Sequence, residues 1–207
     1  MNNTMFDELF SQQKLISCMG KEKFVVLFDL LEKAPDNSIC EIGVYKGGSA
    51  NFMANYRERT GKDKTSKMIL IDTFEGIPYK DDIDHPTALG AFADTSYESI
   101  CNFFSPYKNT YIYKGLVEDY IKEYNKTTEL FGESLKFSFV HIDVDVYEAH
   151  KVCFDFFYPR MVKGGIILLD DYDCPEWKGA KKATEEFCVK TGLKVINAGT
   201  QQGVIYV

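Results

Sequence analysis

The chain has 207 residues, enough for one domain with a sizeable core and too few for two full ones, so a single domain over 1–207 is expected. A formal charge of −7 with scattered lysines argues against nucleic acid as a partner, because binding a phosphate backbone needs clustered basic groups. No apolar run approaches the roughly 20 residues of a membrane span, and MNNTMFDELF lacks a basic-then-apolar leader, so a cytoplasmic protein with no membrane partner is expected.

In chain order, residues 1–36 read as an N-terminal helical segment. Met5, Phe6, Leu9 and Phe10 recur at helical spacing, and Lys21 to Ala34 gathers Phe24, Leu27, Phe28, Leu30 and Leu31 on one face before Pro35 stops it. A first strand, Ser38 to Ile42, carries Glu41 and runs through Gly43, Gly47, Gly48 and Ser49 into a helix over Ala50 to Arg59. Glycines there either let backbone N–H groups approach a ligand at a helix N-terminus or serve the packing of a plain turn. A second strand, Lys67 to Ile71, delivers Asp72, Thr73 and Phe74, and an acid at that tip is placed to accept hydrogen bonds from ribose hydroxyls. Residues 78–95 are polar, lack periodicity and carry His85, which suits a substrate lid.

Thr95 and Glu98 form a capping box for a helix over Tyr97 to Phe104. A third strand, Asn109 to Tyr113, leads to Gly115 and Glu118, either an acid-bearing turn flanking an adenine or a helix start whose acids offset the dipole. A fourth strand ends FSFVHIDVD at Asp143 and Asp145, and a helix over Tyr147 to Tyr158 follows. The fifth, GGIILLDDYD, ends at Asp170 and Asp171, with a helix over Lys178 to Lys190 behind it. Leu193 to Ile196 and Val204 to Val207 close the chain as a hairpin. None of the six cysteines forms a C-x-x-C pair, which favours reduced structural thiols over a zinc site.

Alternating βα units predict an α/β fold: a seven-stranded, mostly parallel, Rossmann-like sheet with an antiparallel last strand and helices on both faces. Ligands bind such sheets at the carboxyl ends of their strands, and carboxylates converging there suit a hard cation such as Mg²⁺. Taken alone, D-x-D followed by an acid pair also fits a phosphatase of the haloacid dehalogenase type, a D-x-D nucleotide-sugar transferase or a non-catalytic binding domain. The phosphatase reading leaves too little chain between Asp143 and Asp170 and does not explain the glycine loop, the transferase leaves Asp170 and Asp171 unaccounted for, and a binding domain does not predict Asp72 together with the glycine loop.

EIGVYKGGS, DTFEGIP, HIDVDVYE and GGIILLDDYD, in this order, resemble the macrocin O-methyltransferase family. The resemblance implies a class I methyltransferase fold, S-adenosyl-L-methionine as methyl donor, Mg²⁺ as cofactor, and a small-molecule acceptor. A sugar hydroxyl of a natural product or polysaccharide is the first expectation for that acceptor, and a catechol-like phenol the second. It also implies Asp143, Asp170 and Asp171 as metal ligands, and self-association into a homo-oligomer. Glu41, Gly43, Gly47, Gly48, Ser49, Asp72, Thr73, Phe74, Gly115 and Glu118 are then expected around the donor. Val146 stands where catechol O-methyltransferase, a wider relative, carries its catalytic lysine, so the proton acceptor is sought among Asp143, Asp145 and His85. His141, two positions before Asp143, is expected as a satisfied core histidine or a neighbour of the acids.

Overall fold

The computed structural model describes residues 4–78, 83, 89–131 and 134–207. His85 and half of the expected lid, residues 79–82 and 84–88, lie outside the described residues. Among the described residues seven strands form one sheet: β1 (Ser38–Ile42), β2 (Met68–Asp72), β3 (Thr110–Lys114), β4 (Phe137–Ile142), β5 (Met161–Leu169), β6 (Val195–Asn197) and β7 (Gly203–Tyr206). Their order is β3-β2-β1-β4-β5-β7-β6, with β7 antiparallel to both β5 and β6 and the other pairs parallel. The expected fold class is therefore met. The order reverses between β1 and β4, and the crevice beyond their carboxyl ends is where an open α/β sheet takes its ligand.

Side-chain alternation divides the core in two. Ile39, Met68, Leu70, Phe139 and Leu168 face α1 (Thr4–Ser11), α2 (Lys21–Lys33), α3 (Gly48–Thr60) and α4 (Tyr97–Phe104). Cys40, Ile42, Ile69, Ile71, Val140 and Ile167 face α5 (Val117–Phe131), α6 (Tyr147–Phe157) and α7 (Lys178–Thr191). Phe137 and Phe139 would share a face by period two, yet lie in opposite layers, because the β4–β5 register shifts between them. β5 begins at Met161, ahead of the double glycine expected to open it.

The long connection after β2 is closed at its base: Ile77 N–H donates to Ala91 O and Gly90 N–H to Ile77 O, both at 2.9 Å. Among the described residues no helix is long and apolar enough to cross a membrane.

Candidate functional site

The junction of β1 and β4 is a backbone contact. Gly43 has φ +87°, and a Cβ there would stand 1.7 Å from the Asp143 carbonyl oxygen, so only glycine fits. The loop beyond is folded by Asp72, whose Oδ2 accepts from Val44 N–H at 2.6 Å and Tyr45 N–H at 2.8 Å, while Oδ1 accepts from Phe74 N–H at 2.6 Å. The carboxylate expected to serve a ribose thus first of all braces the glycine turn. Gly48 meets the N-terminal segment, where a Cβ would lie 2.6 Å from Ile16 O.

A cavity of about 270 Å³ opens beside this junction. Gly43, Gly48, Ser49, Asp72, Thr73 and Gly115 line one end, Asp143, Asp145, Asp170 and Asp171 the other, and residues 16–19 also belong to the wall. Four residues expected around a donor are not in its wall, and each has a reason. Glu41 is fully buried and accepts from His141 Nδ1 at 2.9 Å; Gly47 packs near Leu15 and Ile100 as the left-handed cap of α3. Phe74 turns into the core against the Tyr97 ring. Glu118 sits in the first turn of α5, where the helix dipole favours an acid, while Gly115 of the same turn lines the cavity.

The acids do not gather as one set. Donor atoms of Asp143, Asp145 and Asp171 lie within 4.8 Å of one another, and a second group within the same limit joins Asp143 to Asp170 and His141. The expected trio of Asp143, Asp170 and Asp171 lines the one cavity and is spread over these two groups, with Asp143 common to both. Asp170 also lines the cavity and is held there by other partners: Lys23 Nζ donates to its Oδ2 at 2.6 Å and Gln202 Nε2 to its Oδ1 at 2.8 Å. His141 Nε2 faces that Oδ1 at 3.7 Å, an ion-pair distance beyond hydrogen-bond reach. Asp145 adopts φ +59° inside a tight turn in which Val146 N–H donates to Val144 O at 2.6 Å. This is the strained form of a three-residue turn, and it carries the Asp145 carboxylate back toward Asp171.

Burial raises the Asp143 carboxyl well above its ordinary range, and Asp170 and Asp171 raise it further. Burial, then the charge on Asp170, pushes Asp171 up to about 6. For Asp170 burial acts upward too, but His141 and Lys23 outweigh it and hold the group at about 2. His141 is opposed by burial yet pushed up to about 9 by Asp170 and Glu41. Asp170 thus has its counter-charges built in, whereas Asp143, Asp145 and Asp171 are oxygen donors crowded together, a set that suits a hard divalent cation.

Two of these partners escaped sequence reasoning. Lys23 lies on α2, which reads as a core helix, and only its position four before Leu27 hinted that it shares the inward face. Gln202 sits fully buried in the closing hairpin loop, with no pattern to mark it. His150, which carried no expectation, is buried with Nδ1 2.9 Å from Val146 O, and burial pushes it down to about 4.

Comparison with known proteins accords with this geometry. The profile of the family described as macrocin-O-methyltransferase (TylF) matches residues 17–204. Mycinamicin III 3''-O-methyltransferase of Micromonospora griseorubida is 25% identical over 168 residues, which make up 75% of this chain and 61% of that protein. The chain thus spans less than two thirds of that relative's length. Among solved structures, the O-methyltransferase NovP aligns with a TM-score of 0.73 at 19% identity, over 92% of this chain and 81% of its own. The calicheamicin methyltransferase CalS11 aligns with a TM-score of 0.68 at 20% identity, over 98% and 90%. At these identities the two structures speak to the shared fold.

Proposed function

Because this chain belongs to the macrocin O-methyltransferase family, we propose that it moves the methyl group of S-adenosyl-L-methionine to a hydroxyl of a small molecule, with a sugar of a natural product or polysaccharide as the acceptor. The observation that carries this reading is one cavity with a glycine loop and Asp72 at one end and clustered carboxylates at the other. In the transfer, the bond from the methyl carbon to the sulfonium sulfur breaks as its bond to the acceptor oxygen forms. The hydroxyl proton passes to a carboxylate, and S-adenosylhomocysteine leaves as a neutral thioether. The displacement is in line, so most of the catalytic work is positioning.

Asp143, Asp145 and Asp171 would hold Mg²⁺, which when bound supplies Lewis acidity that lowers the pKa of an acceptor hydroxyl. Asp143, which lines the cavity and whose backbone carbonyl packs on Gly43, is the proposed proton acceptor. Asp170, held by Lys23 and Gln202, orients the group from behind, as partners of ligating residues do in other metal sites. A single-domain, cytoplasmic, self-associating protein completes the reading. Nothing in the sheet order or the cavity favours the phosphatase or nucleotide-sugar alternatives.

Calorimetric titration of S-adenosyl-L-methionine, with Mg²⁺ and again with chelator, tests the proposal. Saturable binding is expected; no binding in either condition overturns it.

A further inference from the structure

The two main cores leave out a third apolar cluster. Ile77, Val146 and Ala149 form it, with Ala91, Val144 and Trp177 packed against them. It joins the loop after β2, the exit of β4 and the start of α7, and it lies beside the acids rather than between sheet and helices. Several of its members face the cavity, Trp177 among them, together with Asp143, Asp145 and Asp171. Trp177 is the chain's one tryptophan. Its backbone is fixed on both sides: its N–H donates to Cys174 O at 3.2 Å, and its carbonyl accepts from Ala180 N–H at 3.2 Å in the first turn of α7. The cavity thus has, in the wall it shares with the acids, an aromatic residue packed on an apolar cluster that methyl transfer itself does not call for.

We propose that Trp177 is the residue that positions the sugar acceptor of that reading: one C–H face of the sugar ring lies on the indole, and two adjacent hydroxyls point toward Asp143, Asp145 and Asp171. The inference rests on the methyl-transfer reading and names the residue that orients the acceptor in the same site. An indole face is electron-rich, and the C–H bonds on one side of a pyranose present a weakly positive, apolar surface that complements it. Carboxylates alone would attract any polyhydroxylated molecule and would not fix its tilt. A flat wall on one side and acids on another fix both, which is the condition for an in-line approach.

The single tryptophan is also the reporter. In the full-length protein with S-adenosylhomocysteine and Mg²⁺, titration with the methyl glycosides of rhamnose, glucose and galactose is expected to give a saturable change of indole fluorescence with at least one, and catechol none. In Trp177→Ala, binding of that glycoside, followed by calorimetry, should weaken about tenfold, with Trp177→Phe intermediate and S-adenosylhomocysteine affinity unchanged. A saturable response to catechol alone, no response to any glycoside, or full glycoside affinity in Trp177→Ala overturns the inference. Failure of S-adenosylhomocysteine to bind the unaltered protein would instead strike the methyl-transfer reading beneath it.

Discussion

The two ends of the cavity are built by different means. The donor end is made of main chain: Gly43 against the Asp143 carbonyl, two loop amides on Asp72, and a segment crossing over Gly48. The acid end is made of side chains whose charges are balanced in pairs, with Lys23 and His141 serving Asp170 and leaving Asp143, Asp145 and Asp171 together. Substitution at the first should act through the fold and disturb both ends. Substitution at the second should leave the fold standing and change what the site binds.

Gly43→Ala is the most severe way to test that contrast. A methyl group 1.7 Å from the Asp143 carbonyl oxygen, at φ +87°, forces β1 and β4 apart. A loss of about 3 kcal/mol or more in unfolding free energy is expected, with donor and metal binding lost together. Denaturant unfolding alongside calorimetry reads both, and a stable variant that still binds one ligand would break the claim that the two ends share this junction.

Asp143→Asn should do the opposite. Donor affinity stays within a small factor while turnover falls by about 10²–10⁴, the range for removing a general acid–base group. Its neighbours sharpen the point. If the cation lies among Asp143, Asp145 and Asp171, Asp145→Asn weakens Mn²⁺ binding, followed by electron paramagnetic resonance, more than Asp170→Asn does. The reverse order would restore the ligand set implied by the family resemblance.

The balance at Asp170 predicts a pH dependence in the chelated protein. His141 is pushed up to about 9 from its ordinary 6.5, so its contribution to stability is fully present below pH 6.5 and is lost as pH rises through 9. Asp170 is held at about 2 from its ordinary 3.8, so its contribution is present above pH 3.8 and is lost as pH falls through 2. Thermal melts of the unaltered protein should decline across the upper window, and those of His141→Gln should not.

The same contrast explains what was legible in the sequence. Strand ends and glycine turns are local, so GGIILLDD, HIDVD and EIGVYKGG announced where the cavity would lie. Asp143, Asp145, Asp170 and Asp171 were all foreseen at that sheet edge. How they divide was not, because it depends on Lys23, 147 positions from Asp170 on a helix that reads as pure core, and on Gln202 in a patternless loop. The turn that redirects Asp145 is set by a φ of +59° at a residue that gives no glycine signal. Sequence patterns thus locate carboxylates, and long-range partners decide what each one faces.

Glu118 is the mildest case and a control for the donor end. It shares the first turn of α5 with Asp119 and is absent from the cavity wall, and the sequence left the acid after β3 open between flanking an adenine and starting a helix. Glu118→Gln should cost about 0.3–1 kcal/mol through the helix dipole and leave donor affinity unchanged. A clear loss of affinity without loss of stability would mean that this side chain reaches the donor after all, and that the donor end is not made of main chain alone.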